Sequence, residues 1–192
     1  MEELIDDLIQ KKVLKSKNTI EAMRKMDRAF FVRKEDTALA YLDTALPIGF
    51  GQTISQPYTV AIMLEMLEPR NGQKILDVGS GSGWTTALLA EISGRKKKVI
   101  GLERVPELVR FGQNNLAKYP FPQAEIIEWS EIGYPREAPY DRILVSAAAE
   151  SIPQELVNQL SDNGILVMPV GDSLVAVKKK IGFIFVPFIK NS

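Results

Sequence analysis

Residues 74–83 read KILDVGSGSG, and this stretch decides how the rest of the chain is interpreted. The apolar run Ile75–Val78 is typical of a short buried strand, and the three glycines that follow indicate a tight turn. From Trp84 onward, apolar residues recur at helical spacing as far as Ala90. A strand, a glycine-rich turn and a helix form the first crossover of a doubly wound α/β sheet, where ligands bind beyond the carboxyl ends of the strands.

The spacing of the glycines narrows the choice of ligand. A dinucleotide fingerprint has the pattern GxGxxG, but here the third glycine, Gly83, comes one residue early, and no P-loop lysine follows. An acidic residue before the turn, with alternate glycines after it, resembles the nucleotide-binding turn of S-adenosylmethionine-dependent methyltransferases. A strand-to-helix turn that binds no ligand is the alternative interpretation of the same residues.

The composition excludes several kinds of chemistry. The chain has 192 residues with 24 Lys and Arg, 24 Asp and Glu, and neither Cys nor His. With a net charge of zero, the chain lacks the overall positive charge that is typical of proteins that bind nucleic acid. Without Cys the chain has no disulfides and no thiol nucleophile, and without His it has no Ser-His-Asp triad. Most zinc sites need one of these two residue types, so no metal is expected. A cofactor that carries its own activated electrophile therefore suits this chain.

Length and patterning indicate a single domain over residues 1–192. Residues 1–45 show only helical periods and are predicted to form a cap, residues 46–57 a structured active-site loop, and residues 58–192 a Rossmann-like core. No signal peptide is recognisable, and the longest apolar stretch, residues 181–189, is too short to span a bilayer. We therefore expect a cytoplasmic monomer with no membrane or nucleic-acid partner.

Alternating strand and helix patterns after residue 72 predict a mostly parallel sheet with right-handed crossovers, followed by an antiparallel C-terminal hairpin. The strands are expected over residues 74–78, 99–103, 124–129, 142–146, 165–169, 174–178 and 183–188. The helices of the core are expected near residues 57–67, 84–93, 106–118 and 153–160. Ahead of the core, helices are expected over residues 2–10 and from an Asn18-Thr19 cap onward.

Glu103 stands at the end of the second predicted strand of the sheet, 26 residues after Asp77. In doubly wound sheets an acid at this place accepts hydrogen bonds from the hydroxyls of a ribose. A solvated acid at a strand end is the alternative. The neighbouring Arg104 either flanks the adenosine or is an ordinary surface arginine.

The active-site loop, Leu46–Pro57, reads LPIGFGQTISQP and resembles the signature of protein-L-isoaspartate O-methyltransferases. The similarity extends from about residue 22 to residue 187 and includes the glycine turn. The resemblance implies methyl transfer from S-adenosylmethionine to the α-carboxylate of L-isoaspartyl residues in damaged proteins and peptides, with S-adenosylhomocysteine as product. In that family the ester collapses to a succinimide whose hydrolysis returns some normal aspartate. Because a carboxylate is ionised at neutral pH, no general base is required.

The resemblance also implies roles for individual residues. Ser55 is implied to be catalytic, and its hydroxyl would donate to one carboxylate oxygen of the substrate. The alternative for Ser55 is an ordinary helix N-cap before a proline. Ile54, Ala147 and Ala148 would border the peptide groove. The implied cofactor contacts are Gln52, Thr53, Ile54, Ser55, Asp77, Gly79, Ser80, Gly81, Glu103, Arg104, Trp129 and Ser130.

Two departures from the family pattern bear on the expected activity. Residues 128–130 stand where the family has Gly-Asp-Gly against the adenine, so Trp129 either stacks on adenine or is a core residue. Glu131 is a further candidate for the missing acid. The segment between residues 171 and 182 is shorter than in the family pattern. We therefore expect a shorter C-terminal hairpin and the loss of part of the wall that binds the substrate. Two alternatives stay open: a cofactor-binding adaptor with little activity, and a methyltransferase for another carboxylate or a small molecule.

Overall fold

The structure is a computed structural model that describes residues 1–180 and the backbone of residues 183–185. Its helices are α1 (Glu2–Gln10), α2 (Lys17–Lys25), α3 (Pro57–Leu67), α4 (Trp84–Ser93), α5 (Pro106–Leu116) and α6 (Gln154–Asn158). Its strands are β1 (Leu46–Gly49), β2 (Gln52–Ile54), β3 (Ile75–Val78), β4 (Val99–Glu103), β5 (Ala124–Glu128), β6 (Tyr140–Val145), β7 (Leu160–Val170), β8 (Ser173–Lys180) and β9 (Phe183–Phe185).

Among the described residues, the main sheet has seven strands in the order β5-β4-β3-β6-β7-β8-β9. The strands from β5 to β7 run parallel, β8 pairs antiparallel with β7, and β9 pairs antiparallel with β8. The chain leaves β3 towards β4 and β5 and later returns to the other side of β3 with β6. The strand order therefore reverses between β3 and β6, which is where such sheets bind ligands. This confirms the predicted doubly wound fold.

Helices cover both faces of the sheet. Alternate residues of β3 point to opposite faces, so Ile75 packs with α3, α4 and the N-terminal helices, whereas Leu76 packs with Leu156 of α6. Two short 3-10 helices, Arg28–Phe30 and Lys34–Leu39, continue the N-terminal layer. In the part of the chain that the structure describes, no helix is both long enough and apolar enough to cross a membrane.

The active-site loop differs from the expectation of an irregular segment. Strands β1 and β2 pair antiparallel, with an irregular register between Pro47 and Gly49. At the turn of this hairpin Phe50 takes a φ of 54°, in the left-handed region, between two glycines that also have positive φ. The loop was predicted without strands because strands of three and four residues are too short for an alternating pattern to be recognised.

Several element boundaries that the described residues test were also predicted wrongly. Helix α6 is shorter than expected because β7 already begins at Leu160 and continues to Val170. Helix α2 begins at Lys17, with Ser16 as its N-cap residue rather than the expected Asn18-Thr19. Strand β8 extends to Lys180, two residues beyond the expectation. The expected strand 183–188 is observed as β9 over its first three residues, and residues 186–188 lie outside the described part.

Candidate active site

A cavity of about 410 Å³ opens where the strand order reverses, at the carboxyl ends of β3, β4 and β6. Its size is within the range of small-molecule and cofactor sites. The sequence-predicted residues that line it are Gln52, Thr53, Ile54, Ser55, Gly79, Ser80, Gly81, Glu103, Arg104, Trp129, Ser130, Ala147 and Ala148. Asp77 does not line it. Further lining residues that were given no role in the prediction include Ile48, Val60, Ser82, Trp84, Thr85 and Ser146.

The glycine turn has an unusual backbone conformation and is tightly packed at Gly81 and Gly83. Gly79, Gly81 and Gly83 all have positive φ, at 82°, 50° and 85°. A Cβ atom added to Gly81 would lie 3.1 Å from Cδ1 of Ile48 in the active-site loop, and one added to Gly83 would lie 3.0 Å from the carbonyl oxygen of Gly112. The turn therefore touches the active-site loop on one side and α5 on the other.

Glu103 is held at the end of β4 by the backbone around it. Its Oε1 atom accepts hydrogen bonds from the N–H groups of Arg104 (2.8 Å) and Val105 (3.0 Å). Its Oε2 atom accepts one from the N–H of Gly81 (3.0 Å). The residue is buried, so the alternative of a solvated acid does not hold. An ionised carboxylate has about four acceptor sites, which leaves capacity for a ligand hydroxyl.

Asp77 lies behind the glycine turn. Its side chain is completely buried, and Oδ2 accepts hydrogen bonds from the hydroxyls of Thr85 (2.7 Å) and Thr86 (2.6 Å) in the first turn of α4. Burial raises the pKa of Asp77 to about 6, against the lowering effect of these hydrogen bonds and with a smaller contribution from Glu103. Among the described residues its Oδ1 atom has no hydrogen-bond partner. Asp77 therefore fixes the start of α4 and places a buried acid next to the site.

Ser80 supplies a second unsatisfied polar atom. Its hydroxyl is buried, belongs to a residue that lines the cavity, and has no hydrogen-bond partner within the described chain. The oxygen has almost no accessible surface, and the Cβ of Ser80 lies 3.0 Å from the position that a Cβ on Gly101 of β4 would occupy, so this hydroxyl is not offered to a ligand in the cavity. The glycine backbone and the buried Glu103 carboxylate fit a cofactor that contains a nucleoside.

Ser55 follows β2 directly and is half-buried on the cavity wall. The N-cap residue of α3 is Gln56, and no side chain of that residue caps the helix. The N–H of Tyr58, in the first turn, instead donates to Oδ1 of Asp43 at 2.8 Å. Ser55 is therefore not the N-cap of α3, and its hydroxyl is not used to cap that helix.

Arg28 supports the backbone at Ser55 from inside the protein. Its guanidinium group is fully buried and donates to the carbonyl oxygens of Ala40 (2.8 Å), Thr44 (2.9 Å) and Ser55 (3.1 Å). Burial lowers the pKa of Arg28 to about 10, partly offset by the nearby charge of Asp43, so the group stays cationic at neutral pH. The prediction assigned no role to Arg28 or Asp43, because backbone acceptors leave no mark in the sequence.

Trp129 has a fixed orientation at the far end of the cavity. Its backbone N–H donates to the carbonyl of Glu103 (2.9 Å), and its indole N–H donates to the carbonyl of Gly133 (2.6 Å). The ring packs edge-to-face with Tyr134, with centroids 4.9 Å apart. Trp129 is thus half-buried against the core and also lines the cavity. Its N–H is already engaged, and the guanidinium carbon of Arg136 lies over the ring at 5.4 Å from the centroid, so a ligand can reach only the other face of the ring.

The exposed lining residues at this end include Arg104, Ser130 and Glu131. They border the cavity but do not close it. Ala147 and Ala148 follow β6 and are also exposed, on the side of the cavity next to the glycine turn, where a Cβ added to Gly79 would lie 3.7 Å from the backbone nitrogen of Ala147.

Comparisons with known proteins agree with this geometry. A family profile described as protein-L-isoaspartate(D-aspartate) O-methyltransferase (PCMT) matches residues 1–186. The chain is 46% identical to a protein-L-isoaspartate O-methyltransferase of Methanopyrus kandleri over 173 residues, covering 89% of this chain and 76% of that protein. It is 40% identical to one of Ignicoccus hospitalis over 204 residues, covering 98% of this chain and 97% of the relative.

A solved structure from Plasmodium falciparum has a similar fold, with a TM-score of 0.83 and 29% sequence identity. The match covers 96% of this chain and 91% of that one. That structure is described as a protein-L-isoaspartate O-methyltransferase in complex with S-adenosyl-L-homocysteine.

Proposed function

This chain belongs to the protein-L-isoaspartate(D-aspartate) O-methyltransferase family, and from that premise we propose which of its residues perform the transfer. The enzyme transfers a methyl group from S-adenosylmethionine to the α-carboxylate of L-isoaspartyl residues in damaged proteins and peptides. Two sides of the cavity have different roles. We call residues 79–81, 103–104 and 129–130 the cofactor wall, and residues 52–55 and 147–148 the peptide wall.

On the cofactor wall, the buried carboxylate of Glu103 would accept hydrogen bonds from the ribose hydroxyls. Gly79 and Gly81 would let the cofactor approach the backbone of the turn closely, because neither residue has a side chain in the way. Trp129 and Ser130 would contact the adenine, with Arg104 beside the adenosine. Asp77 would act from behind the turn by holding the start of α4. The cofactor supplies a sulfonium-bound methyl group, which is a strong electrophile.

On the peptide wall, the Ser55 hydroxyl would donate a hydrogen bond to one oxygen of the substrate carboxylate and leave the other oxygen free to attack. Gln52, Thr53 and Ile54 would line the methionine end of the cofactor, and Ile54, Ala147 and Ala148 would border the peptide. The substrate carboxylate is already ionised at neutral pH, so no residue of the protein has to remove a proton. Catalysis then consists of aligning two reactants and excluding water.

One observation carries this proposal: the active-site loop and the glycine turn form one cavity and are in contact. Ile48 reaches to within 3.1 Å of the position that a Gly81 Cβ would occupy, and both residues line the cavity together with Ser55 and Glu103. A carboxylate held at Ser55 and a nucleoside held at Glu103 would therefore share the same enclosed space.

The test of the proposed function is methyl transfer from labelled S-adenosylmethionine to an isoaspartyl peptide, with the matched aspartyl peptide as control. We expect label in the isoaspartyl peptide only. Label in neither peptide, with measurable binding of S-adenosylhomocysteine, would instead support a cofactor-binding adaptor. Label in small carboxylic acids but not in the isoaspartyl peptide would support a methyltransferase for another substrate.

We also propose that the enzyme acts as a cytoplasmic monomer, with residues 1–192 as one domain and with neither nucleic acid nor membrane as a partner. The net charge of zero gives the chain no overall electrostatic attraction to nucleic acid. Light scattering after size-exclusion chromatography tests the monomer, and cell fractionation tests the location.

A further inference from the structure

We infer that Arg28 is a positioning residue for methyl transfer, which fixes the backbone of Ser55 relative to the glycine turn. The inference rests on the proposed role of Ser55. Arg28 does not line the cavity, so any effect that it has on turnover must pass through the residues that it holds.

Arg28 first forms hydrogen bonds with two separate stretches of backbone. Ala40, Leu42 and Thr44 offer their carbonyl oxygens from the end of the N-terminal cap, at 2.8, 3.4 and 2.9 Å from the guanidinium nitrogens. Ser55 offers its carbonyl at 3.1 Å. One planar group therefore sets the distance between the cap and the residue proposed to bind the substrate carboxylate.

A second set of hydrogen bonds joins Asp43, in the same part of the cap, to the residues just after Ser55. Asp43 accepts a hydrogen bond on Oδ1 from the N–H of Tyr58 (2.8 Å) and one on Oδ2 from the side-chain amide of Gln56 (3.2 Å). Asp43 also interacts favourably with the charge of Arg28. Residues 40–44 thus hold residues 55–58 from two directions.

The third contact connects Arg28 with the helix that follows the glycine turn. Its guanidinium carbon lies 5.5 Å from the ring centroid of Trp84, which is the first residue of α4 and directly follows the glycine turn. The indole N–H of Trp84 donates to the carbonyl of Met26 (2.9 Å), two residues before Arg28. Arg28 therefore contacts both Ser55 of the peptide wall and Trp84, which lines the cavity next to the glycine turn.

Fold stability alone does not account for a buried cation here. The guanidinium of Arg28 is buried against carbonyl oxygens, and within the described residues its Nε has no hydrogen-bond partner, so burial of this charge is costly. Well-packed apolar residues often stabilise a fold at least as well. What they cannot supply is a rigid planar fork of donors that reaches several carbonyl oxygens at fixed angles.

The test compares R28K with R142K. Arg142 is a second buried arginine that also donates to backbone carbonyls, those of Glu68 (3.1 Å) and Asp141 (2.7 Å), but it lies near the start of β6, at the opposite end of that strand from the cavity. For R28K we expect kcat to fall about 100-fold while KM and the Kd of S-adenosylhomocysteine stay within about threefold. For R142K we expect kcat to be unchanged, whatever stability is lost.

Two further readouts keep the inference testable. In the free enzyme, hydrogen exchange at the amides of residues 53–58 should become faster in R28K and not in R142K. If R28K does not fold, millimolar methylguanidinium added during refolding should restore part of the activity of R28A, whereas R142A, whose kcat we expect to be intact, should gain no activity. Unchanged kcat and exchange in R28K, or equal losses of kcat in R28K and R142K, would overturn the inference. Failure of the wild-type enzyme to label isoaspartyl peptides would overturn the proposed function instead. In that case hydrogen exchange would still test whether Arg28 positions the backbone at Ser55.

Discussion

The two walls of the cavity are built in different ways. The cofactor wall belongs to the main sheet, where the N–H groups of Gly79 and Ser80 both donate to the carbonyl of Leu102 in the next strand (2.9 Å each). The peptide wall belongs largely to the separate β1–β2 hairpin, and the distant Arg28 donates to the carbonyls of Thr44 and Ser55, which flank the hairpin. Because the two walls are held by different contacts, we expect that some substitutions weaken cofactor binding and others slow turnover.

Each wall also has a buried charged side chain behind it: Asp77 behind the glycine turn and Arg28 behind Ser55. Asp77 acts on its own strand and the helix that follows, within nine residues of sequence. Arg28 acts across 27 residues to reach Ser55. The following predictions test whether the walls are as independent as this contrast implies.

The largest effect is expected for S55A. Removal of a hydroxyl that binds the reacting carboxylate should lower kcat about 100- to 1,000-fold, as for the loss of a single oxyanion donor. The Kd of S-adenosylhomocysteine, measured by calorimetry, should be nearly unchanged. The matched control is S130A, on the cofactor wall, which should weaken cofactor binding and leave kcat intact at saturating cofactor. Equal turnover in S55A and the wild type would remove Ser55 from the mechanism.

A pH-dependent effect of about 2 to 3 kcal/mol is expected from Asp77, because its pKa is raised to about 6 from an ordinary value near 3.8. Between these two values the folded protein binds more protons at Asp77 than the unfolded chain does. Its contribution to the free energy of unfolding should therefore decrease as the pH rises from about 4 to about 6, and stay constant above that.

Urea denaturation at a series of pH values checks the Asp77 effect. The variant D77N should lack this decrease in the free energy of unfolding, whereas E128Q, which changes an exposed acid of β5, should retain it. The same slope in D77N as in the wild type would show that other groups cause the pH dependence.

Contact between the walls is tested by G81A. The new methyl group would lie 3.1 Å from Ile48, so Ile48 must shift, and we expect about tenfold weaker cofactor binding together with lower kcat. The control is G72A, where φ is +80° and a new Cβ meets nothing within 4 Å. G72A has at least as much backbone strain and should lose stability without loss of affinity. Equal affinities in G81A and the wild type would contradict the contact.

The smallest effect is expected at the adenine end. W129A should weaken the binding of S-adenosylhomocysteine about tenfold if the ring contacts the base, because such stacking contributes about 1–3 kcal/mol. W129F, which keeps a ring, should bind within about threefold of the wild type. A W129A protein that is less stable but binds equally well would mark Trp129 as a core residue only.

The sequence predicted the cofactor wall better than the peptide wall, for a physical reason. The strand, the turn and the acid at the end of β4 depend on local patterns and on a general rule for parallel sheets, so Gly79, Gly81 and Glu103 were expected in their observed places. Strand alternation also places Asp77 on the face of Ile75, towards α4 and away from the cavity, a detail that the pattern contained but that the prediction did not use.

The peptide wall depends on contacts that no local pattern describes. Arg28 binds backbone oxygens, which every residue has, so nothing in the sequence identifies its partners. The capping of α3 by Asp43 likewise comes from 15 residues upstream, which is why Ser55 was considered as an N-cap. The similarity to a known signature placed Ser55 in the site, but only the fold reveals what holds it there.

The most direct test of the two-wall arrangement is a crystal structure of the protein with bound S-adenosylhomocysteine. We expect the ligand in the cavity between residues 52–55 and 79–81, with its ribose hydroxyls within hydrogen-bond distance of Glu103 and its base against Trp129. Density for the ligand outside this cavity, or a ligand that leaves both Glu103 and Trp129 untouched, would contradict the assignment of the cofactor wall.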